Sequence, residues 1–171
     1  MRTTMSSKDQ AADYIVPPCL ESVTILHQDP LFLLVNKPSG LLSVPGKHPL
    51  NRDCLISRLQ EDYPDARIVH RLDLDTSGIM VVALNANSHR NLSKQFENRE
   101  TYKTYTATVY GRLTPEKGEL DFPLICDWPN RPKQMVDYER GKKALTHYEV
   151  LERLEDRTRI LLKPVTGRSH Q

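Results

Sequence analysis

Nine consecutive residues, His70-Arg71-Leu72-Asp73-Leu74-Asp75-Thr76-Ser77-Gly78, bring an imidazole, a guanidinium, two carboxylates, two hydroxyls and a glycine into one short stretch. The stretch lies between Ile68-Val69 and the apolar run Ile79-Met80-Val81-Val82-Ala83-Leu84. A polar loop that feeds a buried strand is a common place for chemistry, because the strand fixes the base of the loop while its side chains stay accessible. In such a loop the Asp73 carboxylate has two uses, as a nucleophile or as a base.

The same residues also make an ordinary turn. Asp75, Thr76 and Ser77 bond to nearby backbone groups, and Gly78 tolerates a positive φ. Arg71 and Asp73, two residues apart, are as compatible with a solvated ion pair of ~0–1 kcal/mol as with catalysis. We read His70 as orienting the loop, Thr76 and Gly78 as shaping it, and Asp75 as a cap or turn residue.

With 171 residues, 38% hydrophobic and 27% charged, the chain has the length and composition of a soluble globular protein built around one core. No apolar run approaches the ~20 residues of a membrane span, and residues 1–10 lack the apolar centre of a signal peptide. Cys19, Cys54 and Cys126 are odd in number and far apart, which argues against a disulfide framework or a zinc ribbon. The histidines have no metal-ligand spacing either. These features predict a cytoplasmic protein with reduced cysteines and no metal.

A net charge of +2 is too small to announce a nucleic-acid partner. Locally, however, residues 128–143 carry Arg131, Lys133, Arg140, Lys142 and Lys143 against Asp137 and Glu139, with Trp128 and Tyr138 interleaved. Such a stretch pairs with phosphates and stacks on bases, or else forms a solvated loop and hairpin.

These candidates need a scaffold. Residues 1–22, with Pro17-Pro18, read as a flexible tail, and residues 23–171 as one domain. Strands are predicted at 23–26, 31–35, 79–84, 103–109, 119–125, 146–151 and 158–163. Between the second and third of these, 36–40 form a turn. Helices are predicted over 53–63, where Leu55, Ile56, Leu59 and Tyr63 share a face, and over 86–99, where Leu92 and Phe96 do. Few helices among many strands, without βαβ alternation, predict an α+β fold with a mixed, largely antiparallel sheet. Tyr105 alternates with Thr104 and Thr106, so it belongs either to the core face of a strand or to a site.

The nine-residue loop resembles the signature of the RluA family of RNA pseudouridine synthases, and Asn36-Lys37-Pro38-Ser39-Gly40 is similar to the family's Asn-Lys-Pro-x-Gly turn. Tyr102-Lys103-Thr104-Tyr105-Thr106-Ala107 resembles its Lys-x-Tyr-x-Ala pattern. The run Leu124-Ile125-Cys126-Asp127-Trp128-Pro129-Asn130-Arg131-Pro132-Lys133-Gln134 resembles the dual-specificity branch of the family, which acts on 23S rRNA and on the anticodon stem-loop of some tRNAs. The resemblance as a whole runs from about Val23 to Gln171.

The resemblance implies a bent sheet flanked by helices and conversion of uridine to pseudouridine in structured RNA, without a cofactor, by a monomer that binds no membrane. It implies that Asp73 acts at the ribose and that Tyr105 stacks on uracil and assists at C5. Arg71 would help to displace the target uridine. Arg131 and Lys133, stiffened by Pro129 and Pro132, and Arg168 would bind RNA.

The family motif Gly-Arg-x-His-Gln-Leu-Arg ends in an arginine that pairs with the catalytic carboxylate, whereas Thr166-Gly167-Arg168-Ser169-His170-Gln171 stops before it. The implied domain is therefore incomplete at its C-terminus, and weak or no activity is expected of this chain. No counterpart of the S4-like RNA-binding domain of many relatives is evident. Two competing readings remain: an inactive fragment that only binds RNA, and a glycoside hydrolase using Asp73 and Asp75. Two acids so close on one loop do not straddle a sugar at the ~5 Å or more required, which disfavours the second.

Overall fold

The computed structural model describes residues 14–171, so the first thirteen residues of the expected tail lie outside the described residues. The chain divides into two compact units, one running to Glu100 and the other comprising Thr101–Gln171. The architecture is α+β, with every strand pairing antiparallel.

In the first unit, β1 (Thr24–Gln28), β2 (Phe32–Lys37), β3 (Arg67–Ile68) and β4 (Gly78–Ala83) form a sheet in the order β1-β2-β4-β3. Pairing of Leu33 with Val82 and of Val35 with Met80 puts four fully buried side chains on one face. The alternation then carries Lys37, paired with Gly78, onto that same apolar face. Helix α1 (Leu55–Gln60) adds Leu55, Ile56 and Leu59 to the core. It is shorter than the predicted 53–63 because its last turn tightens, with the Asp62 and Tyr63 N–H groups both donating to the Leu59 carbonyl. Tyr63 donates its hydroxyl to Gln28 at 2.7 Å.

Helix α2 (Ala86–Glu97) follows β4. Its start is a capping box: Asn85 Oδ1 accepts the Ser88 N–H at 2.8 Å, and Ser88 Oγ accepts the Asn85 N–H at 3.3 Å. Residues 14–22 contain no helix or strand. Asn51 nevertheless bonds the backbone of Tyr14 and Val16, and the Arg58 guanidinium donates to the carbonyls of Cys19 and Glu21.

The second unit is a sheet of β5 (Tyr105–Tyr110), β6 (Lys117–Asp121), β9 (Leu145–Arg153) and β10 (Arg157–Pro164), in the order β5-β10-β9-β6. Buried Ile160 and Tyr148 mark its inner face. Thr158, fully buried, satisfies its hydroxyl by donating to the Gly111 carbonyl and accepting the Leu113 N–H. A separate hairpin pairs β7 (Leu124–Cys126) with β8 (Gln134–Val136). The single strand predicted at 119–125 is thus two strands, β6 and β7. Pro123 separates them, and having no N–H it cannot continue a ladder.

Candidate active site and RNA-binding residues

The loop at 70–78 connects β3 to β4 and alternates in exposure. Arg71, Asp73, Asp75 and Ser77 point to solvent, while Leu72 is buried and Leu74 and Thr76 are half-buried. Leu72 anchors the loop in the core and leaves the flanking Arg71 and Asp73 side chains outside. Gly78 enters β4 at φ +129, a conformation that suits glycine alone.

The backbone around Asp73 is held plane by plane. The Leu72 N–H and carbonyl both bond Ser43 Oγ, and the Asp73 carbonyl accepts the Thr76 N–H at 3.2 Å. The Leu74 carbonyl accepts the Gly40 N–H at 2.9 Å and the Lys37 ammonium at 3.2 Å. The Asp75 carbonyl accepts the Ser39 hydroxyl at 2.8 Å. Every peptide plane from Arg71-Leu72 to Asp75-Thr76 therefore has a hydrogen bond, most of them supplied by residues 37–43.

Lys37 is central to this brace. Its register on β2 buries the side chain completely, and Nζ donates to the carbonyls of Pro38, Leu41 and Leu74. A buried ammonium is tolerated only when its donors are met. Burial lowers its pKa from the usual lysine range, while the nearby Cys19, Asp75 and Asp73 charges pull the other way.

His70 sits at the other end of the loop, and its Nε2 accepts the Val81 N–H at 3.2 Å. Its ring stacks on Phe96 of α2, centroids 4.4 Å apart and planes 16° apart. A ring nitrogen of His89, also on α2, lies 3.0 Å from the Ile68 carbonyl. Of the other loop residues, Thr76 donates its N–H to the Asp73 carbonyl and Gly78 pairs with Lys37 across β2 and β4. The bonds of Ser43 and His89 to this loop and its strand span 29 and 21 residues of chain, beyond the reach of local sequence pattern. A lone hydroxyl within Leu41-Leu42-Ser43-Val44 was the available signal, since buried hydroxyls need partners.

In the second unit Tyr105 begins β5 opposite Leu162 and is half-buried. Arg131 and Lys133 lie in the β7–β8 connection, after a 3-10 turn at Trp128–Asn130. Lys133 is exposed, but Arg131 is half-buried and its guanidinium lies 4.5 Å from the Trp128 ring centre, a cation–π arrangement. The proline-flanked run therefore presents Lys133 outward and lays Arg131 on the indole. Arg168 is exposed, with Nε donating to the Lys143 carbonyl at 3.1 Å.

Among the described residues there is no cluster of three or more His, Cys, Asp or Glu side chains able to hold a metal ion, and no helix long and apolar enough to cross a membrane.

Comparison with known proteins agrees with the fold. The sequence model described as RNA pseudouridylate synthase matches residues 31–171. The Dual-specificity RNA pseudouridine synthase RluA of Yersinia pestis is 56% identical over 148 residues, covering 86% of this chain and 72% of the relative. The protein of the same name from Escherichia coli strain K12 is 55% identical over 156 residues, covering 91% and 71%. Among solved structures, Human RNA Pseudouridylate Synthase Domain Containing 1 superposes with a TM-score of 0.73 at 27% identity, covering 92% of this chain and 65% of that one. Human RNA Pseudouridylate Synthase Domain Containing 4 gives 0.68 at 26%, covering 86% and 61%. With the family match running through both units and the signature loop inside it, this chain belongs to the RNA pseudouridylate synthase family.

Proposed function

We propose that the protein isomerises specific uridines to pseudouridine in structured RNA, with 23S rRNA and the tRNA anticodon stem-loop as substrates, and that Asp73 is the carboxylate acting at the ribose. The observation that carries this reading is the Asp73 loop: an exposed carboxylate on a backbone hydrogen-bonded at every peptide plane from Arg71-Leu72 to Asp75-Thr76. Rigid placement is what a group needs to meet a reacting atom in the right geometry.

The reaction breaks the bond from ribose C1′ to uracil N1 and forms the bond from C1′ to C5. The C5 proton leaves and N1 gains one, so nothing is oxidised and no group is transferred. Asp73 serves at the sugar as nucleophile or base. Tyr105 is our candidate for stacking on uracil and for assisting removal of the C5 proton. Extruding a stacked uridine costs a few kcal/mol, and Arg71, exposed two residues before Asp73, is our candidate for offsetting part of it. Lys133, Arg131 on its indole, and Arg168 supply positive charge for phosphates. The bacterial relatives are named as dual-specificity RNA pseudouridine synthases, which supports action on two kinds of RNA; that these are 23S rRNA and tRNA is what the resemblance of the 124–134 run implies. Such a protein would work as a monomer in the cytoplasm.

The test is to incubate the full-length protein with 23S rRNA fragments and tRNA anticodon stem-loops and to map pseudouridine chemically. New pseudouridine at defined positions in both RNAs is expected. Modification of neither would contradict the proposal.

A further inference from the structure

We infer that Ser43 is a positioning residue for Asp73, whose hydroxyl governs the rate of the chemical step without meeting RNA; the inference rests on the reading of Asp73 as the reactive carboxylate. Ser43 is 4% exposed and lies in an otherwise apolar run after the turn that follows β2. Its Oγ donates to the Leu72 carbonyl at 2.7 Å and accepts the Leu72 N–H at 3.2 Å. One hydroxyl has a proton to give and lone pairs to accept with, so both bonds form at once. Met80 Sδ, 3.7 Å from the same oxygen, is a second and weaker acceptor for that proton.

The geometric consequence follows from the peptide planes. The Leu72 N–H lies in the plane shared with Arg71, and the Leu72 carbonyl in the plane shared with Asp73. Ser43 thereby fixes the two planes before Asp73, the second of which ends at the Asp73 Cα; with the Asp73 carbonyl held by the Thr76 N–H on the far side, this sets the direction in which the Asp73 side chain leaves the backbone. Beyond Asp73, the Thr76 N–H, Gly40 N–H, Lys37 ammonium and Ser39 hydroxyl hold the following planes. Ser43 holds the approach, and those groups hold the exit. A reacting group displaced by about 1 Å loses on the order of 100-fold in rate, so a buried residue can set the rate through placement alone.

The test uses the full-length protein and 5-tritiated uridine RNA. Single-turnover tritium release is measured with enzyme in excess for wild type, Ser43→Ala, Ser43→Cys, Ser43→Thr and Asp73→Asn, together with the RNA Kd and the Tm of each. Cysteine keeps the shape of serine with a somewhat larger γ atom but replaces its hydroxyl with a weak donor and acceptor; threonine keeps the hydroxyl and adds a methyl group. Ser43→Ala and Ser43→Cys are expected to release tritium about 10- to 100-fold more slowly, with Kd changed less than threefold, while Ser43→Thr stays within about threefold of wild type. A wild-type rate in Ser43→Cys, an equal loss in all three Ser43 variants, or a loss carried by Kd would overturn the inference. If Asp73→Asn keeps the wild-type rate, the reading of Asp73 fails. If Asp73→Asn is silent while Ser43→Ala is unaffected, the role of Ser43 alone fails.

Discussion

His70 Nε2 accepts the backbone N–H of Val81 at the point where β3 has left β4. The β3–β4 ladder pairs Arg67 with Ala83 and Ile68 with Val82, and the next strand N–H in line is met by an imidazole instead of a backbone carbonyl. The chain is thus free to turn outward into the loop without leaving Val81 unsatisfied. Replacing His70 with alanine removes that acceptor and the stack on Phe96. We expect a loss of about 1–3 kcal/mol of stability, read from urea unfolding, and faster amide exchange at Val81. Unchanged exchange at Val81 would show that this bond does not hold the strand.

The pair of Asp53 and Arg58, 2.7 Å apart, gives a pH-dependent contribution. The hydrogen bonds from Arg58 hold the Asp53 carboxyl below its ordinary value of 3.8. A carboxylate whose folded pKa is depressed stabilises the fold above its unfolded value, and that contribution disappears as pH falls through the folded value. Because Asp53 is half-exposed, the gain is at most about 1 kcal/mol. Urea midpoints of wild type and Asp53→Asn should differ at pH 7 and converge as the pH drops below 3.8. A gap that persists at low pH would show that the carboxylate charge is not responsible.

Lys133 and Trp128 should separate charge from stacking in RNA binding. Lys133→Ala is expected to weaken affinity for all RNA sequences and to reduce the slope of log Kd against log salt by about 0.7–0.9, the effect of losing one phosphate contact. Trp128→Ala removes the surface under the Arg131 guanidinium, so affinity should fall with a smaller change in slope. Titrations at several salt concentrations make the comparison, and an unchanged slope for Lys133→Ala would remove it from the interface.

Where local pattern and local need coincide, the sequence was informative. The run at 79–84 and the alternation at 103–109 gave β4 and β5 within a residue or two because burial on one face dictates both. Helix α2 is legible from Leu92 and Phe96, while its Asn85–Ser88 cap depends on two polar side chains facing each other. Strands of two or three residues, β3 and β8, are too short to carry a period. The brace under Asp73 was hidden for a different reason. Ser43 and Leu72 are 29 residues apart, and Lys37 and Leu74 are 37 apart, so neither bond leaves a mark on local sequence. The turn at 36–40 is legible from its sequence, and its link to the loop appears only once β2 and β4 are paired in register.

The most direct measurement is tritium release from 5-tritiated uridine RNA by full-length wild type and Asp73→Asn in parallel, with RNA binding recorded for both. The account predicts release by wild type and none above background by Asp73→Asn, at an RNA Kd within threefold of wild type. Release by Asp73→Asn at a rate comparable to wild type would contradict it.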